Sequence, residues 1–478
     1  MNGKTATIKS RARFDLNYMS ADKAGDREGL YYAFMLILGI AILGLLLLVK
    51  SETTTRFIAD PLLIGYSIFV TSFQLSRLVS AMFYKKSYES VIATAQQSSP
   101  GQLNPSPSLL NYSTGPIPRN SIEAKRFEPY LSFVIPCKNE EGAIENTITQ
   151  CFVADYPKNK IEVIVINDGS TDNTGKILVN LKKKFPKLIV VDWKQNKGKR
   201  HGMAEGFQRA RGEIVIQLDS DSHIMPETVR DFIEPFKNKD IGAVCAHADP
   251  ENAKENWVTK MQAAYYFMSF RILKAAESSY LTVFCCSGCS SAYRKNIVMP
   301  IMNTWLNEKF LGLPVTWGDD RALTNWVLKL GHKTIYTDRG RAVTIVPNNL
   351  KQFLKQQVRW KKGWFVNSLF ASKFIIKRDP FVAFTYFLPL IAVTIITPFM
   401  AVRSLLLIPV INNNFAFVFY FSGVLLMAGL ITVYYRMISR QNQYWPYLLV
   451  WASINTVLLS FLLFYALATI NNRKWGTR

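Results

Sequence analysis

Histidine is nearly missing from this chain, with four in 478 residues. His201, His223, His247 and His332 do not fall at metal-ligand spacings, so no histidine-built metal centre is expected. Cysteine is almost as sparse. Six residues (Cys137, Cys151, Cys245, Cys285, Cys286 and Cys289) all lie in the middle of the chain and are read as reduced thiols. Cys286 and Cys289 have a C-x-x-C spacing but no second pair to complete a zinc site. Acid is the scarce charge, 34 Asp and Glu against 57 Lys and Arg, a net +23.

In a soluble protein that surplus would point to nucleic acid. Here the basic residues crowd the first 30 positions, the long middle segment and 351–378, beside apolar runs. This is the distribution of the positive-inside rule, so no nucleic-acid partner is expected and these segments are read as cytoplasmic. The same charge faces anionic lipids and anionic substrates such as nucleotide diphosphates.

What is plentiful is apolar: 49% of residues are hydrophobic and 13% aromatic. Residues 31–49 carry no charge and are long enough for one helix across a hydrocarbon core of about 30 Å. A second candidate, 61–83, tolerates Arg77, and three more blocks lie at 380–411, 415–435 and 446–469. Thirty mixed polar residues precede the first span and no small-residue cleavage site follows it, so a cleaved signal peptide is not expected. The 380–411 block contains Pro389, Pro398, Arg403 and Pro409, and a break is expected there.

Between these groups the texture changes twice. Residues 87–128 are rich in Ser, Pro, Asn and Gln without sustained periodicity and read as a linker. From 129 to 349, short β-branched runs alternate with helical segments: 131–136, 161–166, 187–193, 213–218 and 241–246. Such spacing implies βαβ units and a mostly parallel sheet, with ligands at the carboxyl ends of its strands.

Those strand ends carry the chemistry. Asp168 follows the second run and is read either as a helix cap or as a ligand contact. Asp219 and Asp221 follow the fourth; two carboxylates so spaced can converge on a hard divalent cation, Mg2+ or Mn2+, with diphosphate oxygens completing its shell. Between them, NKGKRHGM (196–203) sets Lys197, Lys199 and Arg200 around a glycine, a loop suited to a nucleotide or simply a solvated surface. In WGDDRALTNW (317–326), Asp319 or Asp320 suits a general base. In KQQVRWKKGW (355–364), Gln356, Arg359 and Trp360 share one helical face and offer an amide, a guanidinium and an indole. Residues 350–379, with this motif inside them, read as amphipathic interface helices.

In this order (NDGS, GKR, DSD, SGxxSxYR, GDDR and QxxRW), inside a chain with apolar spans, the motifs resemble the processive inverting membrane glycosyltransferases: the cellulose, chitin and hyaluronan synthases. The terminal WGTR (475–478) resembles the hyaluronan synthases in particular. The resemblance implies an α/β nucleotide-sugar transferase domain of GT-A type, 129–349, inserted between transmembrane helices at 31–86 and 380–470. It implies that Asp168 and Lys199 hold the uridine end, Asp219 and Asp221 the metal-bound diphosphate, and Ser287 and Gly288 the acceptor side. Asp320 is then the base, with Asp319 beside it, and Gln356, Arg359 and Trp360 bind diphosphate and acceptor sugar below a channel. Trp475 and Arg478 would belong to a gating segment, 471–478.

The implied partners are UDP-GlcA, UDP-GlcNAc, the growing polysaccharide and membrane lipids, at a multi-pass plasma-membrane site. A chitin-type synthase using UDP-GlcNAc alone is the alternative, and a non-processive enzyme acting on a lipid carrier a third. Cys289 stands where the hyaluronan pattern usually has proline after Ser-Gly. Topology adds a constraint. Three late crossings would put WGTR on the far side from the active site, so one late block is expected to be interfacial or 380–411 to fold back.

Overall fold

The computed structural model describes residues 26–57, 60–97, 127–412 and 416–472. The predicted N-terminal segment up to residue 25, most of the predicted linker and the terminal Trp475 to Arg478 lie outside the described residues.

The chain enters through α1 (Asp26–Arg56) and α2 (Pro61–Met82). Asp60 caps α2 by accepting from the Leu63 N–H, and Pro61 supplies a preset first turn. A third helix, α3 (Tyr84–Gln97), runs into the region read from sequence as linker. Tyr84, Tyr88 and Val91 recur at i, i+4 and i+7 and are buried in the main core. Three anchors hold this segment helical although its composition is polar.

The α/β domain is built on an eight-stranded sheet. Its strands are β1 (Leu131–Cys137), β2 (Ile161–Asp168), β3 (Leu188–Trp193), β4 (Ile214–Gln217), β5 (Ser222–Ile224), β6 (Ile241–Pro250) and β7 (Ser291–Arg294), then β10 (Lys333–Thr344). A separate small hairpin pairs β8 (Lys309–Phe310) with β9 (Leu313–Pro314). The order is β3-β2-β1-β4-β7-β6-β10-β5. All five strands expected from sequence are present. β1 to β4 pair in parallel, as do β6 and β10, whereas β7 runs antiparallel to both neighbours and β5 antiparallel to β10. Every residue of β1 and β2 is buried, as a sheet covered on both faces requires. The helices that position the site are α4 (Ile144–Val153), α5 (Thr174–Lys184), α6 (Lys199–Arg209), α7 (Trp257–Met268), α8 (Asp319–Lys329) and α9 (Leu350–Ser372).

Among the described residues, four helices are long and apolar enough to cross a membrane: α1, α2, α10 (Pro380–Ile411) and α11 (Ala416–Ile438). α10 does not break or fold back. It stays helical through its prolines, and two wider turns, Ala383–Phe387 and Arg403–Leu407, absorb the mismatch. At its start Tyr386 donates to Glu277 of the α/β domain, and near its end Arg403 pairs with Asp60 at 2.8 Å in the α1–α2 turn. α11 returns, and Tyr31 near the start of α1 donates to the Arg436 carbonyl.

The last block is α12 (Tyr447–Leu459) and α13 (Leu462–Ala468), bent by 43°. Trp451 of α12 stacks on Tyr265 of α7, with ring centres 3.8 Å apart. Beyond α13, the Lys362 ammonium of α9 donates to the carbonyls of Thr469 and Asn472. This late block, unlike α10, is sharply bent, and it packs against α7 and α9.

Candidate active site

The loop after β2 and the loop after β3 are locked by one carboxylate. Asp168 is buried, and its two oxygens accept from the backbone N–H groups of Lys197 and Gly198 at 2.6 and 2.8 Å. It thus anchors the NKGK loop and does not line the large cavity described below; a contact to a base would use its remaining lone pairs.

That loop delivers Lys199 to the start of α6, where its ammonium pairs with Asp219. Burial works against the lysine charge, but Asp219, with Asp319 and Asp320 beyond it, outweighs burial and raises its pKa. Lys199 is therefore a cation at neutral pH.

Asp219 stands just past β4 and its N–H donates to the Gly288 carbonyl at 3.0 Å. A Cβ at 288 would lie 2.9 Å from Asp219 Oδ1, so only glycine admits this approach. Asp221 accepts from the Ser222 hydroxyl at 3.1 Å.

The two aspartates of GDD differ sharply. Gly318 opens α8 at a left-handed φ of 68°, and a Cβ there would meet Gly363 Cα of α9 at 2.9 Å. The motif is thereby pressed against the helix that carries QxxRW. Asp319 is turned into the protein, where Arg200 Nε donates to it at 3.0 Å. The same guanidinium reaches Glu308 and the Trp305 carbonyl, at 2.9 and 2.8 Å. Asp320 accepts from the Gly288 N–H at 3.0 Å and from its own helix, through the Arg321 N–H, at 2.8 Å.

On α9, Gln356 Oε1 and Arg359 Nε are buried without hydrogen-bond partners among the described residues, unlike most buried polar atoms. Both, with Trp360, face one cavity of about 990 Å3. Its walls also include Lys199, Asp219, Asp221, Ser287, Gly288, Asp319 and Asp320. Except for Asp168, every described site residue expected from sequence lines this space.

The cavity adds residues that sequence reading missed: Gln357, Lys361, Trp364, Lys274 and Arg321. Burial lowers the Lys361 pKa to about 8. The signal was present in KQQVRWKKGW, since Gln357 and Lys361 lie four apart on the same helix. The cavity continues among the membrane helices, reaching Ser67 and Thr71 of α2, Tyr420 and Gly423 of α11, and Asn455 of α12.

Residues 132–301 match Glycosyl transferase family 2. A hyaluronan synthase of Streptococcus pyogenes serotype M1 is 31% identical over 364 residues, covering 75% of this chain and 85% of that protein. The chain belongs to the hyaluronan synthase family. It is accordingly a glycosyltransferase, and its long apolar helices make it a membrane protein. An N-acetylglucosaminyltransferase of Azorhizobium caulinodans is 26% identical over 361 residues, 74% of this chain and 89% of that one. Among solved structures, a mannosyltransferase of Pyrobaculum calidifontis in complex with GDP-Man and Mn2+ aligns at a TM-score of 0.49. It is 17% identical and covers 81% of this chain and 99% of its own.

Proposed function

We propose that this protein is a processive hyaluronan synthase that joins sugars from UDP-GlcA and UDP-GlcNAc and passes the polymer out through its own helices. One observation carries the reading: the carboxylates at the sheet edge and the polar faces of the membrane helices line the same continuous cavity. A non-processive transferase has no use for that continuity. The catalytic domain faces the cytoplasm of a plasma membrane, where nucleotide sugars are made and where the basic segments belong.

Each addition is a direct displacement. The acceptor hydroxyl attacks the anomeric carbon as the bond to UDP breaks on the opposite face, inverting the centre. Asp320 takes the hydroxyl proton, and the leaving diphosphate carries away the electron pair. Lys199 and Arg359 face the developing negative charge; the unpartnered Arg359 Nε supplies a donor that costs no rearrangement. Trp360 offers a face to the acceptor ring and Gln356 an amide to its hydroxyls.

The residues fit a divalent ion. Asp219 and Asp221 line one wall, and Mg2+ or Mn2+ is commonly bound by one or two carboxylates plus substrate phosphates. Among the described residues no group of three or more acidic, histidine or cysteine ligands could hold a metal without the substrate. When bound, the ion supplies charge neutralisation of the diphosphate. In this account Trp475 and Arg478 close beneath the pocket once donor is seated.

The second reading, a chitin-type synthase using UDP-GlcNAc alone, is favoured by the likeness to the rhizobial N-acetylglucosaminyltransferase and by Cys289 after Ser-Gly. Membranes given radiolabelled UDP-sugars singly and in pairs separate the two. High-mass polymer only with both donors supports hyaluronan, and equal polymer from UDP-GlcNAc alone overturns it.

A further inference from the structure

One face of α2 is polar where it meets the cavity: Tyr66, Ser67, Thr71, Gln74 and Arg77 recur at helical spacing along it. Two cations stand on this path inside membrane spans. Lys50, from α1, donates to Ser67 Oγ at 2.9 Å. Gly423 of α11 leaves room for it, since a Cβ there would lie 2.8 Å from the Lys50 ammonium. Arg77 is buried, with its guanidinium over the rings of Phe73 and Tyr386 at 5.3 and 5.7 Å. Its Nη1 meets Gln74 Oε1 at 3.4 Å, and its Nε has no partner.

Neither cation has an ion-pair partner among the described residues, whereas Arg403 of α10 is neutralised by Asp60. An uncompensated cation at membrane depth is costly and persists where it lines a water-filled path or meets a mobile counter-charge. Ten residues separate Ser67 from Arg77, about 15 Å along the helix at 1.5 Å per residue.

We propose that Lys50 and Arg77 are two successive binding positions for the carboxylates of an acidic sugar polymer passing through the membrane. The inference rests on the reading of the cavity as a polymer path and adds what selects the polymer. Two separated cations let a carboxylate bind one while another approaches the second, so that attraction draws the chain in and neither contact traps it. A neutral chain gains nothing from them. Arg77 has Glu277 at one remove, through Tyr386, but Lys50 has only a hydroxyl. Lys50 is therefore the sharper probe.

The test is polymer length, by gel electrophoresis, from membranes supplied with UDP-GlcA and UDP-GlcNAc, normalised to inserted protein. Lys50→Gln is expected to shorten the acidic polymer several-fold, Lys50→Arg to restore most of the length, and Gly423→Ala, which displaces the amine without removing it, to follow Lys50→Gln. Wild-type length from Lys50→Gln overturns the proposal. Equal shortening by Lys50→Gln and Lys50→Arg also overturns it, because shape and not charge would then be at stake. A wild-type product that lacks glucuronate rejects the hyaluronan reading itself, and this inference with it.

Discussion

The backbone N–H of Gly288 donates to Asp320 Oδ2 at 3.0 Å, while the bare Cα of the same glycine lies against the carboxylate of Asp219. One residue without a side chain thus ties the proposed base at the start of α8 to the carboxylate past β4. A methyl group at 288 would sit 2.9 Å from Asp219 Oδ1, so one of the two must move. Displacement of reacting groups by about 1 Å costs roughly a hundredfold in rate. Gly288→Ala is expected to lose turnover on that scale at unchanged thermal stability, measured as polymer formed per unit of membrane protein; a wild-type rate would contradict this coupling.

The adjacent aspartates should separate cleanly. Asp320→Asn keeps an acceptor for the Gly288 N–H but cannot take a proton, so sugar transfer is expected to vanish while UDP binding and the melting temperature stay near wild type. Asp319 is instead half of a buried ion pair with Arg200, whose side chains are 7% and 5% exposed. Removing Asp319 leaves the buried Arg200 with Glu308 as its one remaining carboxylate, so Asp319→Ala is expected to lower stability in a detergent unfolding assay. Equal stability of the two variants would reverse the assignment.

Activity is expected to require a divalent cation. Asp219→Ala and Asp221→Ala should weaken donor binding itself, read by titration with labelled UDP-sugar, and excess EDTA should stop turnover until Mg2+ or Mn2+ is restored. Full turnover in EDTA would leave diphosphate neutralisation to Lys199 and Arg359 alone.

The chain reaches Asn472, whose carbonyl accepts from Lys362 on the helix of QxxRW. Deleting 475–478, or making Trp475→Ala or Arg478→Lys, is expected to leave an inserted protein that makes little or no polymer, since lid closure affects turnover more than donor affinity. Near-normal yield from the deletion would reduce WGTR to an interfacial anchor.

Much of this arrangement was legible in the sequence because it rests on composition and period. Continuous β-branched runs marked five strands, long apolar runs marked the spans, and Asp219 and Asp221 past a strand end marked the cavity. What escaped depended on partners distant in the chain. SAYR is four residues long, and its antiparallel place between β4 and β6 comes from its neighbours, not from its own pattern. β10 is interrupted by Asp338, Arg339 and Gly340, where its register with β6 shifts. α3 is helical because Tyr84, Tyr88 and Val91 find a core, which polar composition does not announce. The prolines of α10 suggested a break that wider turns absorb, while the block without such warning, 446–469, is the one that bends. Asp168 was readable as a strand-end acid, but that both its oxygens hold a loop requires the fold.

The central claim is that one protein both polymerises and exports, and sealed vesicles test it directly. The purified protein is reconstituted alone in lipid vesicles with its catalytic side outward, given UDP-GlcA, UDP-GlcNAc and Mg2+, and then treated with a hyaluronan-degrading enzyme from outside. The account predicts polymer that resists digestion until detergent opens the vesicles. Polymer digested fully before detergent would mean that the cavity among the helices is not the exit path.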